Sequence, residues 1–385
     1  MGSGHVAASG FAAPATGTAY RRAAELCEEL GDIRELFPVL YGLCLYHLYA
    51  ADLRAAKSVA ERLLQLARTT EDRGLSFFAH RAAGVSALPA GDFLQARFHL
   101  EQALALYNPA EHRSPAFVYA FDPRVVCLDY LARTLLPLGF AEQALQANEE
   151  AVREARRISH RNTLALPLFF GGILRQILGD REGTQAHCAE LAEIAADAGF
   201  RFWLAGATIL RGWSCGDAGD TEAGRLEIRR GIDEWRTAGA EYMVPYFLAL
   251  LAQIEGKAGH PESALPLLEE ADKAVERTGE RWFAAEIRRL KGEMLIMSGR
   301  LEDGRTFLER AVELAAKQQA PLWELRAASS VAKVSEDRSA CERVERLQAA
   351  FTTGFEFRDR RAAQALASGD SPRVNCAWHE DEGRR

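Results

Sequence analysis

A pair of small residues, seven positions apart, recurs along this chain at intervals of 40 residues. The clearest pairs are Gly84/Gly91, Ala132/Gly139, Gly172/Gly179, Gly212/Gly219, Ala252/Gly259 and Gly292/Gly299, with weaker pairs at Cys44/Ala51 and Ala332/Ser339. Only the interval from Gly91 to Gly139 differs, at 48 residues. A fixed period between about 20 and 50 residues is typical of stacked supersecondary units rather than of one globular core. The sequence therefore predicts a solenoid in which each unit packs only on its neighbours.

The unit from Gly74 to Tyr107 has the pattern of a helix hairpin. Apolar residues recur at helical spacing on both sides of a Pro-Ala-Gly-Asp break at residues 89–92. Gly84 allows the two helices to approach closely, and Gly91 supplies the permissive backbone of the turn. Acidic residues directly after such turns are expected to cap the second helix. These residues are Asp92, Asp180 and Asp220.

The second helices repeat a signature of their own, with small or apolar residues five and twelve positions after the turn. The first set is Ala56, Ala96, Ala144, Thr184, Gly224, Ala264 and Gly304, and the second is Leu63, Ala103, Ala151, Leu191, Gly231, Ala271 and Ala311. Together with the small residue and the turn glycine, this arrangement resembles the tetratricopeptide repeat, in a version longer than the usual 34 residues.

The fold class that follows is all-α, a right-handed superhelical solenoid of tetratricopeptide-like helix hairpins with a 40-residue period. We predict helix pairs at about 33–49/53–68, 74–88/92–106, 124–138/141–157, 163–178/181–197, 203–217/220–237, 243–257/261–277, 282–297/301–317 and 321–334/338–350. A partial first unit at about 18–31 precedes them and a capping helix follows. Residues 1–17 are expected to be a flexible lead-in, 18–367 the solenoid and 368–385 a disordered tail.

The charge and composition of the chain exclude several classes of function. A net charge of −7 and a pI near 5.8 argue against direct binding of nucleic acid, which normally uses a basic surface. The seven cysteines are scattered singly, as expected for small buried residues in a reducing cytoplasm rather than for disulfides or metal ligands. No apolar run reaches the roughly 18 residues that a membrane span needs. We therefore expect a soluble, cytoplasmic protein without a membrane partner.

Several stretches resemble one family, the C-terminal repeat region of large bacterial signalling proteins. Those proteins join a class III adenylate or guanylate cyclase, or a DNA-binding domain, to a predicted STAND-type ATPase and a helical tail. The stretches are HRSPAFVYAFDP (112–123), GATILRGW (206–213), PYFLALLA (245–252), RLKGEMLI (289–296) and FTTGFEFRDRRAAQAL (351–366). The resemblance implies a regulatory module that senses a partner or ligand. The chain departs from the family pattern at Ala120 and Arg124, where Gly is usual, and at Val244, where Arg is usual.

The catalytic motifs of that family are missing from this sequence. There is no G-x-x-x-x-G-K-[ST] phosphate loop and no G-x-G-x-x-G after a strand. Every long segment has helical rather than strand periodicity, whereas a class III cyclase needs a mixed sheet. We therefore expect a noncatalytic chain that uses no cofactor.

Alignment to the tetratricopeptide pattern predicts which side chains line a concave groove that could hold a protein or peptide. They are Phe78, Arg81, Val85, Asp129, Arg133, Phe169, Gln176, Trp213, Tyr246, Gln253, Arg289 and Glu293. Trp213 and Tyr246 would be the aromatic anchors. The alternative is that the aromatic residues pack between hairpins and the charged residues are solvated.

The eight extra residues of the expanded unit fall in the connection from Tyr107 to Pro123. Long connections with aromatic and charged residues are a common place for functional loops. The candidates here are His112, Arg113, Tyr119 and Asp122. The alternative is a packed Ω-loop, ordered by its three prolines, in which His112 and Arg113 cap helix ends.

Isolated histidines suggest no metal site. His47, His80, His99 and His187 lie within different predicted helices and have no second ligand at i+3 or i+4.

Three hypotheses for the function of the chain then remain. The one we favour is a noncatalytic scaffold or sensor arm that binds a protein or peptide. The others are a small-molecule sensor with a pocket near Trp203, Trp213 and Tyr246, and a fragment of a cyclase whose catalytic domains are absent.

Overall fold

The computed structural model describes residues 14–31, 33–70, 72–109, 121–238, 240–335, 338–349, 351 and 357–367. Within these ranges the regular structure is entirely α-helical, in 18 helices. The all-α hairpin architecture predicted from the period is confirmed. None of these helices combines the length and the apolar character that crossing a membrane requires.

Eight helix hairpins follow one partial unit, the helix α1 (Pro14–Leu30). They are α2/α3 (Ile33–Tyr49, Leu53–Thr70), α4/α5 (Arg73–Ala87, Phe93–Leu106), α6/α7 (Pro123–Leu135, Ala141–Ile158), α8/α9 (Arg161–Leu178, Arg181–Ala198), α10/α11 (Arg201–Asp217, Thr221–Thr237), α12/α13 (Val244–Lys257, Pro261–Thr278), α14/α15 (Ala284–Met297, Leu301–Lys317) and α16/α17 (Pro321–Val334, Arg338–Ala349). The helix α18 (Arg358–Ala367) lies at the C-terminal end. The bounds of the eight hairpins agree with the sequence prediction to within about three residues, whereas α1 begins at Pro14, four residues earlier than predicted and inside the expected flexible lead-in.

Small residues bring the two helices of a hairpin together. The fifth hairpin is the clearest case, because Gly212 of α10 faces Gly224 of α11. A Cβ atom at Gly212 would lie only 2.9 Å from the carbonyl oxygen of Gly224 and 2.9 Å from the amide nitrogen of Ile228. Backbone therefore packs on backbone at this crossing, which explains why the sequence repeats small residues at these positions.

The turns between paired helices use left-handed backbone. Gly91, Gly139 and Gly179 have φ of 78°, 87° and 76°, a region that favours glycine. The predicted caps are present in two of three cases, because Asp180 accepts a hydrogen bond from the Gly183 amide and Asp220 from the Ala223 amide. The prediction for Asp92 is wrong, since its side chain makes no capping hydrogen bond and lies 3.6 Å from Lys57 instead.

The two helices of each hairpin differ in how deeply they are buried. The second helices bury one stripe, as α7 does with Ala144, Ala151 and Ala155. The first helices bury most of their surface, and in α8 this includes every residue from Ala165 to Leu174. The first helices therefore form a continuous interior and the second helices form its outer layer.

The expectation that each unit packs only on its neighbours is wrong. Pro89, in the turn of the second hairpin, accepts hydrogen bonds from the amides of Arg281 and Trp282 at the start of the seventh. Pro137, in the turn of the third hairpin, accepts one from the Leu322 amide at the start of the eighth. The solenoid is wound so tightly that hairpins five positions apart touch, and a period read from sequence carries no information on this winding.

Candidate partner-binding wall

The first helices of the hairpins contact one another across the solenoid, and we call these facing surfaces the inner wall. The twelve residues predicted to line a groove lie on these helices. The structure brings several of them together, but in a closed interior rather than along an open channel.

Asp129 and Arg133 form an ion pair on α6. The Arg133 Nη2 atom lies 3.1 Å from Oδ2 of Asp129, and both side chains are buried. The guanidinium is held between two aromatic rings, 3.8 Å from the centroid of Tyr130 and 3.6 Å from that of Phe170. Sandwiching of this kind suits the planar guanidinium.

The hydrogen-bonding capacity of this pair is largely unused. The 3.1 Å contact between Nη2 of Arg133 and Oδ2 of Asp129 is an ion pair, and among the described residues no group outside the pair bonds to either carboxylate oxygen or to Nε of Arg133. Burial raises the pKa of Asp129 to about 7, against the opposing effect of Arg133. Buried polar groups are usually satisfied, so these atoms mark a place where another polar group can bind.

Two residues from the sixth and seventh hairpins complete this cluster. Arg133 Nη1 donates a 3.3 Å hydrogen bond to the hydroxyl of Tyr242, just before α12. Glu280, 1% exposed, accepts hydrogen bonds from the Met243 amide and from Nε1 of Trp282, each 3.0 Å long. Burial raises the pKa of Glu280 to about 7, although Trp282, Met243 and Arg133 act in the opposite direction.

A second charged network joins α14, α16 and α18. Arg289 donates to both oxygens of Glu286, at 3.0 and 3.1 Å, and to Glu293 at 2.7 Å. The hydroxyl of Ser330 also donates to Glu293, at 2.7 Å. Burial alone would raise the pKa of Glu293, but Arg289 and Ser330 outweigh that effect and lower the pKa.

Arg326 connects this network to distant parts of the chain. It lies 2.9 Å from Glu286 and 2.8 Å from Asp359 of α18, and it donates to the carbonyl oxygen of Ile177 at the end of α8. One buried guanidinium thus joins four helices.

The predicted aromatic anchors are not available at a surface. Trp213 and Tyr246 are 1% and 0% exposed, and Phe169 is fully buried. The Tyr246 hydroxyl donates a 2.7 Å hydrogen bond to Oε1 of Gln176 on α8, while Phe169 stacks on Trp235 with ring centroids 5.6 Å apart. These rings pack between helices because the first helices close on one another, which leaves no open face for them to line.

The other four predicted residues lie on the first helices of the second and sixth hairpins. Phe78 is partly exposed and packs edge-on against Tyr41, with centroids 5.5 Å apart. Arg81 is buried, and its guanidinium donates to the hydroxyl of Tyr41. Val85 is buried beside it, and Gln253 of α12 is partly exposed.

The candidate loop can be described only at its end. His112, Arg113 and Tyr119 lie outside the described residues. Asp122 is buried, and its carboxylate accepts hydrogen bonds from the amides of Arg124 and Val125, at 2.9 and 3.0 Å. Its side chain is therefore committed to starting α6.

The histidine prediction needs one correction. His80 and His99, expected to lie alone, face each other across the second hairpin with their Nδ1 atoms 3.0 Å apart. The part of the chain that the structure describes contains no group of three or more histidine, cysteine or acidic side chains arranged to hold a metal ion.

A small cavity lies against the Arg133 cluster. Its lining is mostly apolar and includes Phe170, Tyr242, Trp282 and Trp323 as well as Arg133. The volume open to the centre of a water molecule is about 10 Å³, which is room for roughly one water. Trp203, Trp213 and Tyr246, predicted to lie near a pocket, are all buried.

Four residues of the inner wall were missed by sequence reasoning: Tyr242, Glu280, Glu286 and Arg326. Glu286 and Arg326 are one helical turn from predicted positions or on the next first helix, so charged residues in strongly apolar first helices were an available signal. Tyr242 and Glu280 lie in connections between hairpins, where a repeat alignment assigns no groove residue.

No protein-family model matches the chain. An uncharacterized protein of Rhizobium meliloti (strain 1021) is 24% identical over 234 residues, which is 60% of this chain and 23% of the relative. The match thus spans less than a quarter of the length of that curated relative.

Solved structures show the fold at low sequence identity. A Rap protein complexed with Competence and Sporulation Factor is 13% identical, with 95% of this chain and 96% of that chain covered and a TM-score of 0.60. NprR in complex with its cognate peptide NprX is 11% identical, with 86% and 98% covered and a TM-score of 0.50. The chain therefore has the fold of tetratricopeptide-like helical repeat proteins.

Proposed function

We propose that this chain is a noncatalytic repeat scaffold, or sensor arm, that binds a protein or peptide partner along its inner wall. The observation that carries the proposal is the Asp129–Arg133 ion pair, which lies buried among aromatic rings and of which only Nη1 of Arg133 has a hydrogen-bond partner outside the pair among the described residues. A wall with a purely structural role would be expected to be apolar or fully paired. Donors and acceptors side by side suit a peptide, whose backbone offers both N–H and C=O groups.

The similar solved structures support this choice of ligand class. NprR is described in complex with a cognate peptide, and the Rap protein is complexed with Competence and Sporulation Factor. We extend peptide or protein binding to the present chain on the basis of its shared fold and its own unsatisfied polar groups.

We further propose that the chain acts in the bacterial cytoplasm as the arm of a signalling ATPase or nucleotidyl cyclase. The support is the resemblance of five sequence stretches to the repeat region of such signalling proteins. Co-purification of the chain with STAND-type ATPases or cyclases of its own organism tests the association. Assays of the purified chain for ATPase and cyclase activity should read zero, and activity that follows the pure protein would contradict the noncatalytic assignment.

The direct test of peptide binding uses a displayed peptide library selected against the whole chain. Binding of selected peptides would then be measured by fluorescence anisotropy. We expect Arg133→Gln to weaken binding by about tenfold to a hundredfold, because a hydrogen bond to a charged group contributes roughly 1.5–3 kcal/mol. The matched control is Arg230→Gln, on the outer helix α11, which should bind as the unaltered chain does.

Either of two results would contradict the proposal. One is that the selection yields no peptide although circular dichroism shows the chain to be folded. The other is that Arg133→Gln and Arg230→Gln bind equally well.

A small-molecule effector is the alternative ligand class, although the closed cavity beside Arg133 has room for only about one water. Thermal-shift screening against metabolites distinguishes a small-molecule effector from a peptide ligand. A small molecule present at 100 times its Kd adds about 2.7 kcal/mol of stability, whereas the peptide hypothesis predicts no such hit.

A further inference from the structure

The contacts between distant hairpins form a continuous line, which we call the seam. On one side are the turns of the second, third and fourth hairpins, at Pro89–Gly91, Pro137–Gly139 and Ile177–Gly179. On the other side are residues 281–282, Gln318, Leu322, Arg326, Phe351 and Arg358.

The hydrogen bonds of the seam use helix ends that have no other partner. The amides of Arg281 and Trp282 donate to Pro89 at 2.7 and 3.2 Å, and that of Leu322 donates to Pro137 at 3.1 Å. These amides stand at the starts of α14 and α16, where a helix provides no internal acceptor. Closing the seam therefore satisfies groups that would otherwise need water.

The turn glycines fall into two classes according to whether a Cβ atom added to them would contact other parts of the chain. A Cβ atom at Gly91 would overlap Gln318, one at Gly139 would lie 3.1 Å from the Phe351 ring, and one at Gly179 would lie 2.9 Å from Nε of Arg358. The later turn glycines have similar backbone, with φ of 109°, 78° and 80°, but a Cβ atom there would have nothing within 4 Å. These are Gly219, Gly259 and Gly299. Only the first class is packed into the seam.

Resting on the proposed function, we infer that the seam is a gate for the inner wall. Each hairpin is a rigid unit, so unwinding the superhelix parts the seam and separates the first helices at the same time. The buried Arg133 cluster and the tryptophans around it can meet a partner only in that opened state. A partner that binds the opened state shifts the population toward it.

The test places asparagine, which tolerates left-handed backbone, at two seam glycines in the double variant Gly91→Asn/Gly139→Asn. The matched control is Gly259→Asn/Gly299→Asn, which carries the same backbone strain with open space in front. Hydrogen exchange at the Trp282 and Leu322 amides reports the seam itself. Quenching of tryptophan fluorescence by acrylamide reports access to the inner wall, where Trp213 and Trp323 are buried.

We expect the seam variant to exchange these two amides at least about tenfold faster than the control, the change that a 1.4 kcal/mol loss of closure would give. Its tryptophans should also be quenched more strongly. Gln318→Ala, which removes only the 2.9 Å hydrogen bond to the Arg281 carbonyl, should shift both readouts in the same direction if the double variant fails to fold.

The inference is overturned if exchange at both amides matches the control, or if exchange accelerates without any change in quenching. Neither readout needs a partner. A failed peptide selection would therefore count against the proposed function while leaving the gate intact.

Discussion

The guanidinium of Arg326 donates a hydrogen bond to the carbonyl oxygen of Ile177, 149 residues earlier in the chain. The same side chain is paired with Glu286, 40 residues earlier, one repeat away. These two bonds belong to two kinds of packing, one between neighbouring hairpins and one across the seam. A side chain that serves both ties the winding of the superhelix to the packing of the individual repeats.

Glu286 should be among the most sensitive positions of the inner wall. Its fully buried carboxylate balances Arg289 and Arg326, so Glu286→Gln would leave two buried guanidinium groups short of negative charge. We expect a loss of about 3–5 kcal/mol in the free energy of unfolding, measured by urea denaturation. Glu302→Gln, which alters an 84% exposed partner of Arg305, should cost less than about 1 kcal/mol. Equal losses would show that the buried network contributes no more than a surface pair.

Asp122 and Asp92 precede helices of similar length but should differ in importance. Asp122→Ala removes the acceptor of two backbone amides at the start of α6, at an expected cost of about 1–2 kcal/mol. Asp92→Ala removes no capping hydrogen bond and should cost only a few tenths of a kcal/mol. Thermal unfolding of the two variants compares them directly, and a larger effect at Asp92 would contradict the capping geometry.

The small residues at helix crossings should tolerate alanine unequally. A methyl group at Gly212 meets the backbone of α11 at 2.9 Å, and we expect Gly212→Ala to destabilise the chain by about 1–3 kcal/mol. At Gly172 the nearest atom is the Leu210 Cδ1 methyl at 3.1 Å, which a small side-chain rotation can relieve. The better helix propensity of alanine, up to about 1 kcal/mol, then offsets the cost of Gly172→Ala. Chemical denaturation that ranked the two variants in the opposite order would refute this account.

The contribution of Glu280 and Asp129 to the free energy of unfolding should fall as pH rises from about 5 to 8, opposite in sign to that of His99 and His187, whose pKa burial lowers to about 4. Burial raises the pKa of Glu280 and of Asp129 to about 7, above the ordinary carboxyl range. The folded state therefore holds protons on these two carboxyls that the unfolded state has already released, so their contribution favours unfolding more as pH rises across this window. Glu280→Gln cannot ionise, so its free energy of unfolding should rise relative to that of the unaltered chain as pH increases. A dependence that is unchanged in this variant would assign the effect to other groups.

The repeat period by itself determined the all-α class, the eight hairpins and their turns. The reason is that a hairpin is specified locally, by apolar spacing along 40 residues, a glycine that can adopt positive φ, and small residues where two helices cross. The resemblance to the tetratricopeptide pattern placed Asp129, Arg133, Arg289 and Glu293 on the first helices, facing the groove.

Only the tertiary structure decided how tightly the hairpins wind. The rotation from each hairpin to the next accumulates over four or five units until Pro89 meets Trp282 and Ile177 meets Arg326. That accumulated rotation closes the groove and buries Trp213 and Tyr246, which a local pattern placed on an open face. It also recruits Tyr242 and Glu280 from connections, because residues remote in sequence become neighbours only once the superhelix has completed its turn.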